Sequence, residues 1–387
     1  MAGRVTREEL LRRLVACDSR SQVSNREIAD VICDYVDRPD VRIVRHPSPD
    51  GTKLNVIAIR GPRRDDGAGL VLSGHMDTVP FGEPEWESDP LVLTRREERY
   101  VGRGVCDMKG FLALAVDRFV SPSSLVHPLV LLLTYDEELG TLGARHLVET
   151  RPLLEPLPRA TVIGEPTSLG VVRMHKGHLK LRIVLRGRSG HSAYPASGRN
   201  AIEMAGRAIH ALTELGRRFE AEAPPEGAAF GEVRYATLNL ATIAGGTALN
   251  VIPDRCVLEI GIRLLPGMTG AEVTDRVRRL VEDAVGTGDV LLELISESPA
   301  MATPEAAPVH HAVCALTGQR ESRAVSFTTD GGWLAALGLD CIVWGPGSIQ
   351  TAHKPNEWLE VEEFERGAEL LESLVADRCV RPAAVSR

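Results

Sequence analysis

Two kinds of apolar spacing alternate along the first half of this chain. Apolar residues recur at helical spacing over residues 7–15 and 24–37, and short apolar runs at 41–46, 53–60 and 69–74 predict strands. A helical pattern from Met108 to about Phe119 is followed by the run Leu-Val-Leu-Leu-Leu-Thr at 129–134. That run has no polar face, which predicts a strand buried on both sides. Residues 143–149 predict another helix and 160–164 another buried strand. Strand and helix in alternation predict an α/β sheet flanked by helices.

The pattern changes after residue 178. Residues 179–187 alternate as a half-exposed strand, with Leu179, Leu181, Ile183 and Leu185 on one face. A long helix is predicted over 199–218, strands over 235–244 and 255–264, a helix over 270–284 and a strand near 289–295. The order β-α-β-β-α-β is the split, ferredoxin-like arrangement. From about 306 the α/β pattern resumes and closes in a helix at 360–377; 221–231, rich in Ala, Pro, Glu and Gly, reads as a loop. The expected organisation is a catalytic α/β domain with a mixed sheet, residues 1–178 and 290–387, interrupted by a smaller α+β domain, 179–289.

Composition narrows the function. The 387 residues exceed one typical core, in keeping with two domains. A net charge of −8 argues against nucleic acid, which needs clustered cations; Arg217 with Arg218, and Arg276 with Arg278 and Arg279, read as solvated helix faces. The seven cysteines are odd in number and contain no C-x-x-C pair. A reducing compartment, the cytoplasm, is therefore expected. The first residues lack the apolar stretch of a signal peptide, and no apolar run suffices for a membrane span.

Candidate chemistry collects where apolar strands end, the place at which α/β sheets hold ligands. Ser-Gly-His75-Met-Asp77 offers a metal-binding imidazole, with a carboxylate two residues on that can orient it. Gly-Val-Cys-Asp107-Met-Lys-Gly110 puts an acid before a helix, where a plain N-cap would serve as well. Asp136-Glu137-Glu138 follows the most apolar strand, and crowded carboxylates there are costly without cations. Glu165 ends another apolar strand, and His353 lies in the Gly/Pro-rich loop 345–357. Taken alone, each of the last two reads equally well as a surface loop residue.

As a set, two neutral histidines and three acids against two divalent cations leave one positive charge, enough to hold a hydroxide. Nitrogen and oxygen ligands without thiolate suit zinc, with cobalt or manganese able to substitute.

These motifs, in this order and nearly end to end, resemble the zinc-dependent clan of acetylornithine deacetylases, succinyl-diaminopimelate desuccinylases, aminoacylases and glutamate carboxypeptidases. Residues 173–178 (Arg-Met-His-Lys-Gly-His), 189–192, 263–269 and 345–349 are most similar to the acetylornithine branch. The resemblance implies a zinc-peptidase-like catalytic domain with an inserted dimerisation or lid domain. It implies two zinc ions, or cobalt: His75, Asp107 and Glu165 would hold one, and Asp107, Glu138 and His353 the other, with a cis peptide after Asp107. Glu137 would be the general base and Asp77 the carboxylate partner of His75. His191 would reach the active site of a partner subunit, and Asn250 and Arg263 would lie near substrate, Arg263 suiting an α-carboxylate. Asp330 would read a cationic side chain.

The implied reaction is removal of the Nα-acetyl group of N-acetylornithine, in arginine biosynthesis, by a homodimer acting on a small N-acyl amino acid. The alternatives are another deacylase (succinyl-diaminopimelate, acetylcitrulline or lysine-pathway), a dipeptidase of the clan, or an amino-acid-binding protein on the same scaffold. Retention of Glu137 with all five ligand positions argues against the last. His175 and His178 fall on opposite strand faces and are set aside as a metal pair. His310 and His311 read as surface residues, and Cys106 as a buried, inert thiol.

Overall fold

The computed structural model describes residues 5–122, 124–153 and 156–380. The strands that organise it are β1 (Val41–Pro47), β2 (Leu54–Arg60), β3 (Leu70–His75), β4 (Leu129–Thr134), β5 (Ala160–Ile163), β6 (Val172–His175), β7 (Gly177–Arg186), β8 (Thr237–Gly245), β9 (Arg255–Leu264), β10 (Val290–Ser298) and β11 (Asp340–Val343). The chain divides into two compact units. The larger comprises Met1–Arg173, Thr303–Arg323 and Thr329–Arg387; the smaller comprises Met174–Ala302 and Ala324–Thr328.

In the larger unit the strands run in the order β1-β2-β4-β3-β5-β11-β6. The four central strands, β4, β3, β5 and β11, are mutually parallel, and antiparallel strands flank them. Every residue of β3, β4 and β5 is buried, as expected of parallel strands covered on both faces. Helices Arg7–Ala16, Arg26–Val36, Gly110–Val120 and Val361–Val375 share one apolar core with these strands. Parallel strands end at the same edge of a sheet. The loops after β3, β4, β5 and β11 therefore emerge together, and they carry His75–Asp77, Asp136–Glu138, Glu165 and His353. Gly164, between β5 and Glu165, has to be glycine: a Cβ there would lie 1.9 Å from the Phe111 ring.

The smaller unit is a four-stranded antiparallel sheet in the order β8-β9-β7-β10. Helices Ala201–Ala221 and Gly270–Val285 pack on it through Leu212, Leu215, Val277 and Val281. The second helix starts in a capping box between Thr269 and Glu272. The unit is wider than residues 179–289, because β10 pairs with β7 from Val290↔Leu185 to Ser298↔His178 and so closes this sheet. Strand β8 is an edge, exposed from Asn239 onward with Leu240 and Ile243 facing solvent. Among the described residues no helix is long and apolar enough to cross a membrane.

Candidate metal centre

His75 is the last residue of β3 and is buried. Its Nδ1 lies 3.0 Å from the carbonyl oxygen of Asp77. A carbonyl only accepts, so Nδ1 carries a proton and Nε2 is left as the nitrogen able to give a lone pair to a cation that displaces its proton. That Nε2 lies 3.0 Å from Asp107 Oδ1 and 3.9 Å from Glu165 Oε1. On the far side of Asp107, His353 Nε2 lies 3.2 Å from Asp107 Oδ2 and 2.9 Å from Glu138 Oε1. The structure thus brings together two triads, His75/Asp107/Glu165 and Asp107/Glu138/His353. In each, the ligand atoms lie within 4.8 Å of one another, and Asp107 is shared. The Asp107–Met108 peptide is cis.

Electrostatics fit cations in both triads. Burial, reinforced by the Glu165 charge, lifts Glu137 well above the usual carboxylate range. Burial and Asp107 do the same to Glu165, and burial raises Glu138. For Asp107, burial works in the same direction, but hydrogen bonds from His353 and His75 outweigh it and its carboxyl falls below the usual range. For His75, burial opposes protonation, yet Asp107 and Glu165 hold its pKa well above the ordinary value. Hydrogen bonds to Asp107 and Glu138 push His353 to about 10. Acids that resist ionisation and histidines that retain protons mark a place where positive charge is wanted, and divalent cations supply it while displacing the protons.

Asp77 meets His75 through both its carbonyl and its carboxylate. The imidazole is served by the Asp77 carbonyl, and the carboxylate stands 3.6 Å from Nδ1. Its oxygens also accept the backbone N–H groups of Glu137 (3.0 Å) and Glu138 (3.2 Å) and the Ser21 hydroxyl (2.9 Å). Asp77 therefore fixes the backbone from which both Glu137 and Glu138 project. A buried Lys53–Asp136 ion pair, with Lys53 also donating to the Ser21 carbonyl, braces the same turn. Asp136 needs bracing, since its φ of 51° is left-handed.

Asp330 is 2% exposed and accepts a 2.5 Å hydrogen bond from Thr134 Oγ1; its other oxygen has no partner among the described residues. Its charge acts on Glu137 and Glu165, and burial raises its own carboxyl to about 6.

The other three predicted residues belong to the smaller unit. His191 pairs with Val251 across a short antiparallel bridge, and Ser192 N–H donates to the Asn250 carbonyl at 3.1 Å, so His191 and Asn250 are neighbours. His191 Nδ1 accepts the Ala193 N–H at 3.1 Å, which leaves Nε2 as the donor. Arg263, on β9, donates to Thr328 Oγ1 at 3.1 Å, and that hydroxyl donates onward to the Lys176 carbonyl.

Residues set aside in the sequence reading find structural roles. His175 is buried beside the Lys176 carbonyl, and burial lowers it to about 4. Cys106 is buried, and burial pushes its thiol far up. His310 corrects its expectation: it is buried, with Nδ1 2.8 Å from the Glu305 carbonyl, because helix Pro308–Thr317 turns that face to the core. Sequence reasoning gave no role to Ser21, Lys53, Arg103 or Glu357. Glu357 stands only four residues beyond His353, but nothing local separates it from any loop acid.

Comparison with known proteins agrees with this geometry. Residues 71–377 match the model of peptidase family M20/M25/M40. The chain is 34% identical over 388 residues to acetylornithine deacetylase of Proteus mirabilis, covering 97% of each. It is 36% identical over 372 residues to that of Edwardsiella ictaluri, covering 95% of this chain and 94% of the relative. Among solved structures, a metallo-carboxypeptidase of the M20 family from Sulfolobus solfataricus superimposes with a TM-score of 0.76 at 18% identity, covering 96% of this chain and 99% of that one. Aminopeptidase PepT from Bacillus cereus gives 0.71 at 20% identity, covering 96% and 98%. With its dinuclear ligand set and these relatives, the chain belongs to peptidase family M20/M25/M40, as a metal-dependent hydrolase closely related to the bacterial acetylornithine deacetylases.

Proposed function

We propose that this protein removes the acetyl group from the α-nitrogen of N-acetylornithine, giving ornithine and acetate. The observation that carries the reading is Glu137 held by Asp77 beside two cation triads, in a chain that matches acetylornithine deacetylases over nearly its whole length. When bound, the cations supply Lewis acidity, polarising the scissile carbonyl and making a water more acidic. Glu137, already biased toward holding a proton, accepts the water's proton and delivers it to the departing amine. Nε2 of His191 is a donor suited to the developing oxyanion, with Asn250 beside it. Arg263 has no acidic partner among the described salt bridges and is aimed by Thr328, which suits a substrate α-carboxylate. The burial of Asp330 beneath Thr134 favours a role behind Glu137 over direct reading of a side-chain ammonium.

The smaller unit would serve as a ferredoxin-like lid and dimerisation domain. An exposed edge such as β8, with the adjoining helix Ala201–Ala221, calls for a partner, here a second copy. If His191 serves the partner's site, mixing inactive His191→Ala and Glu137→Gln subunits restores activity; exchanged but inactive mixtures rule this out. The substrate is tested by turnover of N-acetylornithine against N-acetylmethionine, N-acetylcitrulline, N-succinyl-diaminopimelate and dipeptides, with zinc or cobalt added. N-acetylornithine should lead, and a preference for the succinylated substrate overturns the assignment.

A further inference from the structure

Glu357 is a carboxylate that neither the metal triads nor the general base accounts for. It is 1% exposed, yet it lies in the loop that carries His353. Both of its oxygens are fully engaged. Oε1 accepts the backbone N–H groups of Cys106 at 2.9 Å and Asp107 at 3.0 Å. Oε2 accepts the N–H of Gly104 at 3.0 Å and Nη1 of Arg103 at 3.0 Å. One side chain from the His353 loop thus gathers the whole turn that ends in the bridging Asp107. Arg103 is equally buried and extends the tie, donating to the Lys354 carbonyl at 3.4 Å and the Pro80 carbonyl at 3.3 Å.

The two triads depend on this tie unequally. His75 ends β3 and Glu165 lies two residues beyond the adjacent β5, next to Gly164, whose N–H donates to the Ser73 carbonyl of β3 at 3.1 Å, so the sheet itself sets their spacing. His353 has no strand beneath it. It sits in a loop at φ 60°, and its reach to Asp107 is fixed by what that loop holds. We propose that Glu357 is a positioning residue for the dinuclear centre, tying the His353 loop to the backbone of Asp107 and thereby setting the affinity of the Asp107/Glu138/His353 site for its cation. The inference rests on the dinuclear centre and not on the identity of the substrate.

Glutamine tests it sharply. Each Glu357 oxygen faces two donors, so a glutamine in either orientation turns its NH₂ toward two N–H groups. The shape is preserved while half of the tie becomes repulsive. In metal-stripped Glu357→Gln, titration with Zn²⁺ followed by calorimetry, and with Co²⁺ followed by its visible absorption, should show one cation bound as in wild type. The second should bind on the order of 10–100-fold more weakly, and excess metal should recover turnover. His353→Ala, which removes the second site directly, identifies which spectral component is lost. Should Glu357→Gln fail to fold, Glu357→Asp keeps the charge but draws the loop in, and the same titration applies, with the same selective weakening expected. Two cations bound at wild-type affinity, or equal weakening of both, would overturn the proposal in either variant. A merely structural Glu357 would lower stability without separating the two cations.

Discussion

The two halves of the metal centre share Asp107 but are built in opposite ways. His75 and Glu165 belong to a buried triad, with side-chain exposures of 1% and 7%; His75 ends β3 and Glu165 follows two residues after the adjacent parallel strand β5. Glu138 and His353 belong to loops, and the His353 side chain is 44% exposed. The first half inherits its geometry from backbone hydrogen bonds that the sheet makes in any case. The second is assembled by side chains: Asp77 holds the amides of Glu137 and Glu138, and Glu357 holds the turn of Asp107. A ligand set can thus be half scaffold and half brace, and the braced half is where substitution far from the ligands is felt first.

The largest effect expected leaves both halves intact. Glu137→Gln should keep two cations and lose turnover on the order of 10²–10⁴-fold, because glutamine cannot accept the proton. Metal content and kcat measured on the same sample check this, and a near-normal rate with both cations present removes Glu137 from the base role.

Breaking the halves one at a time comes next. His75→Ala should abolish the tightly held cation, whereas His353→Ala should leave it and lose only the weaker one. Metal analysis after dialysis against a graded chelator distinguishes the two variants. Identical losses would mean that the centre is one cooperative unit rather than a scaffold half and a braced half.

The pH response of the metal-free protein gives a smaller effect. His353 is raised from 6.5 to about 10 by Asp107 and Glu138, so its contribution to folded-state stability is complete below pH 6.5 and is lost as pH rises toward 10. Glu137 and Glu165, also raised, act with the same sign. Lys109, lowered by burial to about 8, acts with the opposite sign above that pH. Between pH 6.5 and 8, then, the Tm of chelated protein should fall as pH rises, while zinc, having displaced the protons, flattens the slope. A rising Tm in chelator over that window contradicts this reading.

The smallest effect concerns Asp330. Asp330→Asn keeps an acceptor for Thr134, and it should lower kcat/KM on N-acetylornithine and N-acetylmethionine by a similar, several-fold factor. A narrowed preference between the two would return Asp330 to side-chain recognition.

Much of this arrangement was readable from local pattern. The run at 129–134 has no polar face, so burial on both sides followed, and β4 is buried throughout. Three carboxylates after such a strand signalled a cation site, because like charges at a buried strand end are costly alone. The roles of His75, Asp107, Glu138, Glu165 and His353 came from the order of motifs, and the two triads group them in the same way. The braces were not readable. Glu357 meets Asp107 across 250 residues of chain, and Ser21 meets Asp77 across 56. His310 was misplaced for a related reason: which face of a short helix turns inward depends on what packs against it.

By itself, then, the sequence determined element type and ligand chemistry, because apolar period and the donor atoms a side chain carries are properties of a residue and its near neighbours. Tertiary structure alone decided which carboxylates bind backbone instead, Asp77 and Glu357. Asp77, Glu138 and Glu357 are chemically equivalent acids beside similar loops. What separates them is the count of N–H donors within about 3 Å, and that count is set only when the loops after parallel strands converge at one edge of the sheet.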